Sequence, residues 1–118
     1  MEYMLLIFRS EAEMQKMSPA QGAEMTAAFG AYTEALQKAG IMRGGARLRP
    51  VETATTVRVR SGETKVLNGP YAETREELGG YYIIDVPDLD TALSWTARCP
   101  AASYGTMEVR PIWPLGQD

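Results

Sequence analysis

The sequence predicts an α+β fold, an antiparallel sheet with two helices on one of its faces. Three observations carry that prediction. Two short runs, YMLLIF at 3–8 and YYIIDV at 81–86, are apolar at consecutive positions, the pattern of strands covered on both faces. Each run is followed by a segment with helical periodicity and helix punctuation. Between the two halves lie alternating stretches broken by Gly, Pro and Asn, which read as strands and turns.

Residues 3–8 form the first strand. The first helix follows, with Ser18 as cap, Pro19 at its first position and Gln21 completing a capping box. Met25, Ala28, Phe29, Tyr32, Leu36 and Ala39 recur on its inner face, and Gly40 stops it. Residues 41–49 resume extended structure, with Gly44-Gly45 marking a bulge or a close backbone approach and Pro50 ending the strand. Residues 54–60 alternate: Val57 and Val59 share one face, and Thr56, Arg58 and Arg60 the other. A turn at 61–63 returns the chain through 64–68 as a hairpin. Asn68-Gly69-Pro70 breaks that arm, and the polar segment up to Leu78 reads as a loop with a short helical turn.

Gly79-Gly80 opens the strand at 81–86. Asp88 caps a second helix with Leu89, Ala92, Leu93 and Thr96 on its inner face, and Pro100 closes it. A last strand spans 106–113. With the hairpin set aside, two βαβ-like halves remain, which is the ferredoxin-like arrangement. Two helices cover only one face, yet the strands at 3–8 and 81–86 present apolar residues to both. A symmetric homodimer of the α+β-barrel kind, pairing the two uncovered faces, accounts for that surface.

Composition narrows the function. The 118 residues suit a single domain over 1–118, and 45% apolar content is that of a folded protein. Histidine is absent, so no Ser-His-Asp relay, histidine zinc site or imidazole acid/base can be built from this chain. One cysteine excludes an intrachain disulfide and a cysteine-cluster metal site. No metal site and no cofactor are expected. The net charge is −3, and the densest basic group (Arg43, Arg47, Arg49, Arg58, Arg60) is spaced as the solvated face of strands, so no nucleic-acid partner is expected. The acidic start and short apolar run fit neither a signal peptide nor a membrane span. The expected location is the cytoplasm, with no membrane partner.

The stretch NGPYAETREELGGYYIIDVPDLDTALSWTARCP, with ATTVRVR before it and TMEVRPIW after it, resembles the YCII-related family in the branch named for its D-G-P-F motif. The resemblance implies a ferredoxin-like fold, a dimeric α+β barrel and no assigned biochemical activity. It also implies kinship with muconolactone isomerase and a dehydrochlorinase, and an association with extracytoplasmic-function sigma-factor systems. The motif aspartate is Asn68 here and the phenylalanine is Tyr71. Any His-Asp pair proposed for the wider family has no counterpart in a chain without histidine.

Asp85 is the candidate catalytic residue. It lies on the same side of its strand as Tyr81 and Ile83, away from the helices, where apolar surroundings disfavour its charged form and raise its pKa. The plainer alternative is a wet strand end or a hydrogen bond across the dimer. Asn68, Tyr71, Glu73, Tyr81 and Arg9 are the candidate ligand-binding residues. Tyr71 and Glu73 follow the turn and suit the mouth of a pocket under the sheet, although turn chemistry also explains them, with Glu73 capping a short turn. Arg9 suits an anionic ligand or a salt bridge. Glu108 and Arg110 are expected to pair across the sheet, and Cys99 to be a buried thiol. Three readings stand: a small-organic-molecule binder, a cofactor-free isomerase or lyase using Asp85 with Tyr71 or Tyr81, and an accessory protein of a sigma-factor system.

Overall fold

Every second residue of strand β1 (Glu2–Arg9) is buried: Tyr3, Leu5 and Ile7 meet Tyr82 and Ile84 of β5 (Glu77–Asp85) in one core. In this computed structural model, which describes residues 1–116, these two strands are the centre of a four-stranded sheet. The last two residues of the domain read over 1–118 lie outside the described residues. The edge strands are β2 (Met42–Arg47), on β5, and β6 (Thr106–Pro111), on β1. All pairs are antiparallel, with Leu5 opposite both Tyr82 and Val109. The order β2–β5–β1–β6 is the ferredoxin-like one that the βαβ halves predicted.

The helices lie against the face holding Leu5 and Tyr82. Helix α2 (Pro19–Lys38) begins with the predicted capping box: Gln21 N–H donates to Ser18 Oγ at 3.2 Å and Ser18 N–H to Gln21 Oε1 at 2.9 Å. It ends in a Schellman motif, with Gly40 at φ +71° and the Gly40 and Ile41 N–H groups donating to the Gln37 and Leu36 carbonyls. Helix α3 (Leu89–Ala97) is capped by Asp88, whose carboxylate accepts from Thr91 N–H at 2.8 Å. A short helix not read from the sequence, α1 (Glu11–Gln15), starts at the Ser10 cap.

Several local expectations are corrected. On α2 only Tyr32 and Leu36 are buried; Ala28 is exposed where the N-terminal half of the helix stands off the sheet, and Ala39 is exposed at the C-cap. On α3 the buried residues are Ala92 and Thr96 with Trp95 packed beside them, whereas Leu89 and Leu93 are 47% and 46% exposed. The buried stripe thus runs through Ala92, Trp95 and Thr96 toward Cys99. No helical turn forms in the segment before β5, where the polar residues have no apolar face to bury. Strand β5 instead begins at Glu77, so Gly80 pairs within the sheet, opposite Ile7 and Arg47, and Gly79 is the extra residue at the register shift between Ile7 and Phe8. The ladder of β2 is offset at Met42–Gly44, which is the bulge that Gly44-Gly45 suggested. Glu108 and Arg110 face each other along β6 at 3.8 Å rather than across the sheet, since residues two apart share a face.

Strands β3 (Thr55–Arg60) and β4 (Glu63–Asn68) form a separate two-stranded sheet joined by Ser61-Gly62, both at positive φ. Among the described residues, no helix is long and apolar enough to cross a membrane.

Candidate functional site

Helix α2 is fastened to α3 and to the sheet along its second half. The Tyr32 hydroxyl donates to the Trp95 carbonyl at 2.8 Å, Thr33 Oγ1 and the Tyr82 hydroxyl lie 2.7 Å apart, and the Tyr32 and Tyr82 rings meet edge to face at 5.4 Å. Toward its N-terminus the sheet-facing residues include Gly22 and Thr26, too small to reach β2 and β5. A cavity of about 760 Å³ is left there, walled by Met14, Met17, Met25 and Phe29, with Tyr82 and Thr33 at its inner end. That size lies within the usual range of small-molecule sites, about 300–1,000 Å³.

Two cations line this cavity. Arg9, from the end of β1, lies across Gly79, where a Cβ would stand 2.5 Å from its Nε; glycine leaves the guanidinium its place. Arg47 comes from the end of β2. Among the described residues, neither guanidinium has a carboxylate within salt-bridge distance. Glu11 is the carboxylate in the lining, and its oxygens already accept the Val51 N–H at 3.1 and 3.3 Å. Burial pushes the Tyr82 phenol up, with the Thr33 hydrogen bond opposing, and burial pushes Tyr32 up further, so both stay neutral hydrogen-bonding groups. Tyr104 is also raised by burial, while the charges of Arg9 and Arg47 pull it back; its hydroxyl meets Met25 Sδ at 3.2 Å. The arrangement can hold the negative end of a small molecule beside a methionine- and phenylalanine-lined wall.

Of the six residues singled out in the sequence, Arg9 lines this cavity, and Tyr81 borders it along β5 with its side chain on the opposite face of the sheet, beside Ile83. Asn68 ends β4 and is exposed, Glu73 is exposed in the loop, and Tyr71 is 77% exposed with the Arg58 guanidinium 5.1 Å from its ring centre. These three are not brought to the cavity. Asp85 lies at the end of β5, its side chain 40% exposed, with the Met1 amino group donating to it at 3.0 Å and the Arg43 guanidinium forming an ion pair at 3.6 Å. The expected upward pKa shift is reversed: the hydrogen bond and charge of the Met1 amine, with the weaker pull of Arg43, hold the carboxyl below its ordinary value. Arg47, Met25, Phe29 and Thr33 were not read as site residues. The signal for them was the row of small residues on α2, which leaves space beneath a helix otherwise patterned for contact. Among the described residues, no three of Cys, Asp and Glu stand close enough together to hold a metal ion.

Sheet order, helix placement and cavity together define a small ferredoxin-like α+β protein with a half-open cavity between helix and sheet. The chain belongs to the YCII-related domain family, whose model matches residues 1–116. An uncharacterized protein of Rhizobium meliloti (strain 1021) is 36% identical over 114 residues, covering 95% of this chain and 92% of that protein. A solved structure of 5-chloro-2-hydroxyhydroquinone dehydrochlorinase from Burkholderia phenoliruptrix AC1100, in complex with 2,5-dihydroxybenzoquinone, superposes with a TM-score of 0.56. It covers 100% of both chains at 17% identity, a likeness of fold.

Proposed function

We propose that this protein binds a small organic anion in the cavity between α2 and the β2–β5 edge. The observation that carries the reading is the pair of arginines, Arg9 and Arg47, at a cavity of about 760 Å³ without carboxylate partners among the described residues. An unpaired guanidinium beside an apolar wall gains most from a bidentate carboxylate or phenolate on a compact ring. The test is calorimetric titration and thermal shift with benzoate-type acids against their isosteric amides. Binding of the acids alone, lost in Arg9→Gln, supports the reading; equal responses to acid and amide, or none to either, overturn it.

The same reading includes a homodimer. Met4, Leu6 and Phe8 of β1 and Tyr81 and Ile83 of β5 line the face of the sheet turned away from the helices. Pairing two such faces removes that apolar area from water. Light scattering at micromolar concentration decides it, a monomer being the adverse result.

A second reading is a cofactor-free isomerase or lyase, favoured by the dehydrochlorinase likeness of fold. Asp85, held ionised, would serve as a general base, with Tyr71 or Tyr81 donating a hydrogen bond to the developing oxyanion. Chloride release from a chlorinated hydroxyquinol, abolished in Asp85→Asn, is the supporting result; no release by the wild type ends this reading.

A further inference from the structure

Two strands paired only with each other are marginal in water, and the β3–β4 hairpin is such a pair. Every strand residue in it except Thr56 is exposed. Its register places Val57 opposite Val66 and Val59 opposite Thr64, so three valines, each 58–60% exposed, share one face. The other face carries the pairs Arg58–Lys65 and Arg60–Glu63. β-branched residues on an extended ribbon gain stability by packing against a second layer, and among the described residues this valine face is left exposed.

The hairpin is nonetheless firmly rooted. Gly69 N–H donates to the Ala54 carbonyl at 2.7 Å and Thr56 Oγ1 to the Gly69 carbonyl at 2.8 Å. The turn before it is tied to the body through the Val51 N–H and the Glu11 carboxylate. The ribbon therefore projects in a set direction. The chain's radius of gyration is 16.4 Å, with extents of 48 × 45 × 19 Å. A compact domain of this length has a radius of about 13.5 Å.

Charge identifies the occupant. Segment 55–68 holds Arg58, Arg60 and Lys65 against Glu63, a net of +2; the whole chain carries −3, so the remainder carries −5. A basic ribbon on an acidic body is complementary to the body of another copy, whereas the acidic body repels a polyanion. We propose that the β3–β4 hairpin is an arm that closes over a second copy of this chain, its valine face packed on the partner. The arrangement rests on the homodimer reading and adds a reciprocal contact to it, each arm reaching the other body across a twofold axis.

The test combines light scattering over a dilution series with hydrogen exchange of the amides of residues 55–68. The wild type is compared with Val57→Asp/Val59→Asp, whose folding is checked by circular dichroism. The expected result is a wild-type dimer with slow arm exchange, and a tenfold or greater rise in dissociation midpoint for the double variant. Added salt should raise the wild-type midpoint as the arm–body attraction is screened. Arm exchange should become fast below the dissociation midpoint. A wild-type dimer whose arm amides exchange freely, or whose midpoint the double variant leaves unchanged, overturns the arm contact while the sheet-face dimer stands. A wild-type monomer at every concentration overturns both.

Discussion

Replacing Gly80 by alanine sets two opposed effects of known size against each other. A Cβ on Gly80 would lie 2.6 Å from the Ala46 carbonyl oxygen and 3.4 Å from Arg47 Cα, both backbone atoms of the facing strand. Ordinary contact begins near 3.4 Å, so β2 must move off β5 by about 0.8 Å, and no side-chain rotation can relieve it. Overpacking of this kind costs about 1–3 kcal/mol. The loss of unfolded-chain entropy returns about 0.4–1 kcal/mol. At mid-range values the net is a loss of about 1.3 kcal/mol, a fall in Tm of about 5 °C for a chain of this size. Gly30, exposed within α2, has no atom within 4 Å of the corresponding Cβ. There the same substitution should stabilise by about 0.5–1 kcal/mol, because alanine is the better helix former. Thermal melts and urea midpoints of the two variants should move in opposite directions. A Gly80→Ala protein melting at or above the wild type would refute the close approach of β2 and β5.

Leu36→Ala, at a fully buried position, should cost about 2–5 kcal/mol in urea denaturation, a loss under 1 kcal/mol being incompatible with a packed core. Ser18→Ala removes the capping-box acceptor on α2 and should lower stability by about 1 kcal/mol, with Ser18→Asp restoring it. Asp85 has a lowered folded-state pKa, so its contribution is present above the unfolded value near 4 and fades as pH falls through the folded one. Melting temperature should therefore drop more steeply in acid for the wild type than for Asp85→Asn, and parallel profiles would contradict the ion pairs. Cys99 is buried with its thiol pushed up, so a thiol reagent at pH 8 should label it only at the rate of opening. Immediate labelling of the native protein would place the thiol at the surface.

The legible parts of the sequence were those governed by local rules. Ser18, Gln21 and Gly40 marked the ends of α2 because caps satisfy backbone groups within a turn of themselves. The alternation of Val57 and Val59 with Arg58 and Arg60 gave the faces of the hairpin, since the strand period is two. Arg9 was singled out because it ends an apolar strand. Arg47 was read as part of a solvated row, and nothing in its neighbours shows that a helix passes over it without touching. Asp85 was misread on its titration: adjacency in sequence showed only apolar residues. The amine and guanidinium that set its charge come from Met1 and Arg43, both far along the chain.

By itself the sequence determined the α+β class, the ferredoxin-like succession of elements, the helix limits and the absence of imidazole chemistry. Each follows from periodicity, backbone capping or composition, which act over a few residues or over the whole count. Tertiary structure alone decided that α2 lifts from the sheet to leave a cavity, that Arg9 rests on Gly79 beside it, and that the hairpin stands clear of the core. These depend on how far apart packed elements come to lie, a distance set by side chains remote in sequence and written in no local pattern.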